Sequence, residues 1–90
     1  MILGTVRGSV YSTIQHPFYR GRRLLFVDKT RPGGAGTGDY VIAVDTVDAG
    51  VGDRVLLIDE GNSARQVVDD PDAPLRTVII GIVDAEDLRR

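Results

Sequence analysis

The residues of this chain that could do chemistry are few, and they do not form a catalytic group. The 90-residue sequence has one histidine, His16, and no cysteine. A lone histidine cannot supply a three-ligand zinc site without carboxylate help, and no HExxH spacing is present. Ser9, Ser12 and Ser63 are candidate nucleophiles, but no GxSxG motif surrounds them. We therefore predict no enzyme, no metal and no cofactor, and interpret His16 as a loop-packing or subunit-interface residue.

Two aspartates lie where carboxylates are unusual. Asp45 lies within an apolar strand pattern, and Asp84 follows the last one. A carboxylate in an apolar setting needs a charged or hydrogen-bonding partner. We predict structural pairing of these aspartates with Arg54, Arg65 or Arg76, within the chain or at a subunit interface.

Three polar or glycine-rich stretches invite a functional interpretation and favour a structural one. Residues 48–53, DAGVGD, lack the third glycine and the following helix of a dinucleotide loop, so they indicate a tight turn. Residues 30–39, TRPGGAGTGD, lack the lysine of a phosphate-binding loop and indicate a flexible loop. Residues 69–72, DDPD, lack the glycine and later glutamate of a calcium-binding loop, so they indicate a solvated acidic turn.

The hydrophobic pattern predicts an all-β domain. Apolar residues alternate or run continuously through five segments, followed in one place by a helical turn at 63–67. The segments are 1–13, 23–28, 40–47, 55–58 and 77–84. We expect 41–65 to form a central hairpin and Gly81 to lie at a crowded strand contact, in the barrel or at a subunit interface. Five short strands with glycine-rich connections are typical of a small OB-like barrel. Strands apolar on both faces need a second cover, and another copy of the chain would provide it.

Composition limits the class of protein. Ninety residues form one domain, 1–90, and a chain of this size buries only about 60 to 65% of its unfolded surface, so association would help it. The formal charge is −2 and the pI is near 5.2, which disfavours a nucleic-acid partner. No run approaches the roughly 18 apolar residues of a membrane span. Together with the absence of cysteine, this predicts a soluble, cytoplasmic protein.

Four stretches together resemble the EutN/CcmL family, the pentameric vertex proteins of bacterial microcompartment shells. They are MILGTVRGSV, HPFYRGRRLLFV, AVDTVDAGVGDRVLLIDEGNSAR and IIGIVD, and the match that runs through them in order extends over nearly the whole chain. Three positions depart from the family pattern: Gln15 replaces a common lysine, Asp48 a usual glycine, and Asn62 a usual serine.

The resemblance implies an OB-like barrel that assembles as a homopentamer and caps the five-fold vertices of a shell built from hexameric and pseudohexameric proteins. It places the turn Gly61-Asn62-Ser63 beside a narrow central pore, where small side chains and free backbone N–H groups would favour small polar or anionic solutes. The alternative is that this turn only begins a helix, with Asn62 or Ser63 as N-cap. Arg65 is expected to reach a neighbouring subunit, as are His16, Asp45 and Asp84.

Two other functions compete with a shell protein. An OB-fold binding module for nucleic acid or carbohydrate would use exposed aromatic residues and a basic groove. This chain has three tyrosines, two phenylalanines, no tryptophan and a net negative charge, so it is poorly equipped for that role. A small hydrolase would have to use His16, Asp45 and Asp84, which form no complete catalytic arrangement.

Overall fold

The computed structural model describes residues 2–10, 21–31, 33–72 and 75–84, and these form a closed five-stranded barrel with one short helix. The elements are β1 (Ile2–Val10), β2 (Leu24–Thr30), β3 (Gly36–Asp45), β4 (Arg54–Asp59), α1 (Gly61–Val67) and β5 (Thr77–Ile82). Neighbouring strands follow the order β1-β2-β3-β5-β4, and β4 returns to β1. The all-β, OB-like fold predicted from the sequence is confirmed. No helix in the described segments is long and apolar enough to span a bilayer.

The central hairpin predicted for residues 41–65 is wrong. β3 lies between β2 and β5, whereas β4 lies between β1 and β5, so the two strands of the predicted hairpin do not pair with each other. The glycine turn directs the chain away from β3: Asp53 N donates to Gly50 O at 3.0 Å, and Gly52 N donates to Val6 O at 2.8 Å. Val6 N in turn donates to Asp53 O at 2.9 Å. The turn therefore delivers β4 to β1.

The predicted flexible loop at 30–39 is shorter in the structure. β3 begins at Gly36, which pairs with Thr30 of β2, so the second half of the predicted loop is strand. A tight turn joins the two strands, because Gly34 N donates to Arg31 O at 2.8 Å and Arg31 N donates to Ala35 O at 2.9 Å. Two backbone N–H groups of this segment are therefore bonded locally, which glycine content alone does not reveal.

The barrel closes through a short parallel contact. β3 and β5 share two residue pairs, Val44 with Val78 and Asp45 with Ile79. Immediately beyond β3, the Thr46 hydroxyl donates to Ile79 O at 2.6 Å and adds a side-chain bond to this seam. The other four strand contacts are antiparallel, and three of them contain a register shift.

The buried apolar residues form two clusters, one inside the barrel and one on the outer face that α1 covers. The first draws on all five strands and fills the interior; it contains Val6, Leu25, Val27, Ala43, Ala49, Val55, Leu57 and Ile79. The second lies beneath α1 and contains Leu24, Val44, Ala64, Leu75 and Val78. The prediction that a second copy supplies the outer cover is therefore wrong for this face, because α1 and Leu75 of the same chain cover it.

The crowded glycine is Gly4 rather than Gly81. A β-carbon added at Gly81 would meet nothing within 4 Å, so the expected crowding of the barrel there is wrong. A β-carbon at Gly4 would lie 2.8 Å from Asp28 O and would collide with Val27 Cγ1. Gly4 thus allows β1 to approach β2 closely inside the core.

We predict that Gly4→Ala lowers the free energy of unfolding by about 1 to 3 kcal/mol, because the added methyl group overpacks the β1–β2 contact. Gly8→Ala is the matched control, since it lies in the same strand and its β-carbon would meet nothing within 4 Å. Urea denaturation at one fixed protein concentration measures both. Equal midpoints for the two variants would show that Gly4 is not a packing constraint.

Candidate functional site

The predicted pore turn, Gly61-Asn62-Ser63, forms the first turn of α1, and Glu60 caps it. Glu60 has extended backbone angles, and its Oε1 accepts a hydrogen bond from Asn62 N at 2.7 Å. Its Oε2 accepts from Ser63 N at 2.9 Å and from the Ser63 hydroxyl at 2.8 Å. The predicted N-caps, Asn62 and Ser63, are therefore wrong. The glutamate is long enough to place one oxygen on each of two adjacent N–H groups, which the shorter side chains inside the turn do not do.

This cap changes the electrostatics expected of the turn. The backbone N–H groups of Asn62 and Ser63 are not free donors, because both are bonded to the Glu60 carboxylate. Those two N–H groups, Asn62 first, and then the Ser63 hydroxyl lower the pKa of Glu60 below its usual value of 4.5. The turn therefore presents a carboxylate that is ionised at neutral pH, and the two N–H groups expected to be free are bonded within the chain. The predicted solute preference of the turn stays a prediction.

Arg65 folds back over the same turn. Its Nη2 donates to Asn62 Oδ1 at 2.6 Å, and a β-carbon at Gly61 would lie only 3.1 Å from Arg65 Nη1. Glycine at position 61 thus gives the guanidinium room to lie across the start of the helix. The predicted contact of Arg65 with a neighbouring subunit stays a prediction, since the contact described here lies within one chain.

Asp59, which ends β4 and precedes the cap residue Glu60, contacts side chains of β5 and β2. It was not singled out from the sequence. Its Oδ1 accepts from the Thr77 hydroxyl at 2.7 Å and from Arg76 Nε at 3.2 Å, and Lys29 Nζ lies 3.8 Å from Oδ2. The Thr77 hydroxyl, followed by the charges of Arg76 and Lys29, lowers the pKa of Asp59 despite its partial burial. The available signal was a carboxylate at the end of an apolar strand, the same reasoning that selected Asp84.

Asp45 is structural, as predicted, but its partners differ from those predicted. Its side chain is 2% exposed and accepts from the backbone N–H of Val47 at 3.0 Å and of Ala49 at 3.1 Å. Its cationic partner is Arg23, with Nη1 3.2 Å from Oδ2. The predicted arginines were Arg54, Arg65 and Arg76. Because Asp45 ends β3 beside the start of β2, the arginine that precedes β2 reaches it first.

The other predicted interface residues are only partly described. Asp84 is exposed just beyond β5, and His16 lies outside the described residues. Asp48, where the family resemblance favours glycine, has a φ of +58°, a left-handed conformation that glycine adopts without strain. Arg23 Nη1 also reaches Asp48 Oδ1 at 3.0 Å, so this arginine joins the two aspartates.

A shallow cleft of about 420 Å³ lies beside α1. It is lined by Asn62, Arg65, Gln66, Asp69, Asp70 and Pro71. This lining brings no histidine or hydroxyl nucleophile to the carboxylates. Within the described segments, no three histidine, cysteine or acidic side chains are placed to hold a metal ion.

Comparisons with known proteins identify relatives along almost the whole chain. Residues 1–84 match the family described as "Ethanolamine utilisation protein EutN/carboxysome". The microcompartment shell vertex protein PduN of Salmonella typhimurium is 43% identical over 89 residues, covering 93% of this chain and 96% of PduN. The shell vertex protein EutN of Escherichia coli is 37% identical over 84 residues, covering 93% and 87%. The solved structure of the pentameric shell protein GrpN of Rhodospirillum rubrum superposes with a TM-score of 0.83 at 34% identity, covering 94% and 95%.

The lowered pKa of Asp59 predicts a loss of stability in acid. A carboxylate whose folded pKa lies below the unfolded value of about 3.8 stabilises the fold above that pH, and this contribution is lost as the pH falls through the folded pKa. At pH 7, we expect the free energy of unfolding of Asp59→Asn to be about 1 to 2 kcal/mol lower than that of the wild type. Chemical denaturation at pH 7 and near pH 3 should show this difference shrinking. Asp72→Asn, at an exposed carboxylate, is the control; a difference independent of pH would contradict the assignment.

The Glu60 cap predicts local fraying of α1 when its charge is removed. Glu60→Gln retains one acceptor oxygen but loses the charge and the second oxygen, so the N–H groups of Asn62 and Ser63 should exchange with solvent faster. Amide hydrogen exchange followed by NMR measures this directly. Unchanged exchange at both amides, with Asp72→Asn as reference, would show that Glu60 is not the functional cap.

Proposed function

The chain belongs to the EutN/CcmL family, and we propose that it is a structural vertex protein of a bacterial microcompartment shell. Five copies form a ring that occupies the five-fold vertices of the shell. The observation that carries the proposal is the match, along nearly the full chain, to vertex proteins whose solved relatives include pentamers. The closed barrel gives each copy a rigid body for such a ring.

The function follows from geometry rather than from catalysis. A flat sheet of hexagonal tiles cannot close into a polyhedron without five-fold points, so a shell built from six-fold units needs a five-fold component. We therefore propose hexameric and pseudohexameric shell proteins as partners and the shell itself as the location of the chain. The relatives are shell proteins, which supports a structural role and not an enzymatic one.

A nucleic-acid or carbohydrate module is not favoured. Such OB-fold binders present aromatic rings to bases or sugars along a basic groove. Here the exposed Tyr40 ring stacks on Phe26, with centroids 4.7 Å apart and planes 19° apart, but the chain carries a net charge of −2, which disfavours a basic groove.

We propose that the turn Gly61-Asn62-Ser63 lies beside the opening on the five-fold axis. The Glu60 carboxylate would then be repeated five times around that opening. A ring of carboxylates favours cations and neutral polar solutes over anions, although the Arg65 guanidinium beside each carboxylate offsets part of that charge. The proposed preference differs from that of uncapped N–H groups, and it is supported by the contacts of Glu60 with Asn62 and Ser63.

The interface residues remain proposals with different geometric support. Asp84 is exposed and accessible to a neighbour, and Arg65 is half-buried with its guanidinium on the helix surface. Asp45 would act indirectly, because its buried carboxylate holds the connection after β3 within its own chain. His16 is proposed from its sequence position alone.

We predict that the chain closes shells that lack a vertex protein. Production of hexameric shell proteins without it should give open tubes or sheets, and co-production with it should give closed polyhedral particles, as seen by electron microscopy. The Asp72→Asn variant, altered at an exposed turn away from the barrel, should close them equally well. Identical particles with and without the chain would contradict the vertex function.

A further inference from the structure

Most of β3 has one edge that no other described strand covers. β5 pairs with β3 only at Val44 and Asp45, and no described residue pairs with Gly36–Ala43 on that side. The first five residues of β3 are exposed. We call Gly36–Ala43 the arm. An unpaired strand edge offers backbone N–H and C=O groups to another chain, and natural proteins usually cover or charge such edges.

The arm carries two large exposed apolar side chains. Tyr40 is 60% exposed and Ile42 is 41% exposed. The stacking of Phe26 on Tyr40 supports the tyrosine ring from β2, so the ring needs little further ordering on binding. An exposed aromatic anchor that is already held in place is the kind of residue that dominates protein–protein contacts.

A second exposed apolar surface lies at another part of the barrel. Val51 is 72% exposed and Ile82 is 48% exposed. Both lie where β4 begins: Val51 is in the turn that precedes Arg54, Ile82 pairs with Val55, and Val83 N donates to Arg54 O at 2.8 Å. We call Val51 and Ile82 the end patch. β5 is the neighbour of β3, but the parallel pairing of Val44 with Val78 and of Asp45 with Ile79 puts Ile82 beyond the C-terminal end of β3, whereas the arm extends in the opposite direction.

Two unlike surfaces are what a ring requires. A head-to-tail contact repeated around an axis joins one surface of each copy to a different surface of the next. Solved relatives at 34% and 30% identity are pentamers. The partner that we expect to cover these surfaces is therefore a second copy of this chain. Of the described large apolar side chains that are exposed, the remaining one is Val67 of α1, which belongs to neither surface.

We propose that the arm of one subunit packs against the end patch of the next, with Tyr40 and Ile42 covering Val51 and Ile82. This inference rests on the proposed pentamer and names the surfaces that close it. It predicts that a change in either surface opens the ring, whereas the same change at Val67 does not.

The test uses three single variants and one mixture, followed by native mass spectrometry. Tyr40→Asp and Ile82→Asp should each lose the pentamer, and Val67→Asp should keep it. Mixing Tyr40→Asp with Ile82→Asp should give a one-to-one heterodimer of about 19 kDa, because the two variants together retain one intact arm and one intact end patch that can meet. Isotope labelling of one variant identifies the heterodimer by mass.

Each outcome bears on a distinct statement. A pentamer from Tyr40→Asp or Ile82→Asp, or folded single variants that form no heterodimer when mixed, would overturn the assignment of surfaces while leaving the vertex function intact. A wild type that is monomeric under the same conditions would instead contradict the proposed function. Circular dichroism checks folding, and Tyr40→Ser with Ile82→Ser replaces the pair if an aspartate variant unfolds.

Discussion

The rest of the structure depends on the short seam that closes the barrel between β3 and β5. Only two residue pairs form it among the described residues. Side-chain hydrogen bonds next to these pairs therefore help to hold the two strands together. The buried Asp45 carboxylate bends the chain by accepting the N–H groups of Val47 and Ala49, and the Thr46 hydroxyl bonds to Ile79 O. A buried carboxylate that lost these donors would destabilise the site, because desolvation of the charge would be only partly offset by Arg23. The interior apolar cluster is enclosed only because this seam holds.

The sequence predicted the strands well and their pairing poorly, for a physical reason. Alternation reports which residues are buried, but a strand such as β4 is buried equally well beside β3 or beside β1. The choice depends on the hydrogen bonds of Gly52 and Asp53 with Val6, which no local pattern reveals. Glycine crowding has the same limit: Gly4 and Gly81 both lie in apolar strands, and only the spacing of neighbouring strands distinguishes them.

At the candidate site, residue type alone did not identify the residue that caps the helix. Small polar residues in a first helical turn usually provide the cap, but Glu60 does so from outside the turn with two oxygens. The cap therefore uses two N–H groups that were expected to be free and adds a carboxylate beside them. At Asp48, by contrast, residue type was informative. The family resemblance favours glycine there, and this agrees with the left-handed φ of +58°. A non-glycine residue in this conformation costs about 1 to 2 kcal/mol, and the contact of Asp48 with Arg23 is too exposed to solvent to offset much of it.

The central claim is that the folded chain is one fifth of a ring, and its native mass tests this most directly. Light scattering of the purified wild type over a dilution series measures that mass without any partner protein. The account predicts a species of about 49 kDa, five times the chain mass of 9.7 kDa, that persists on dilution. A folded monomer at every concentration would contradict it.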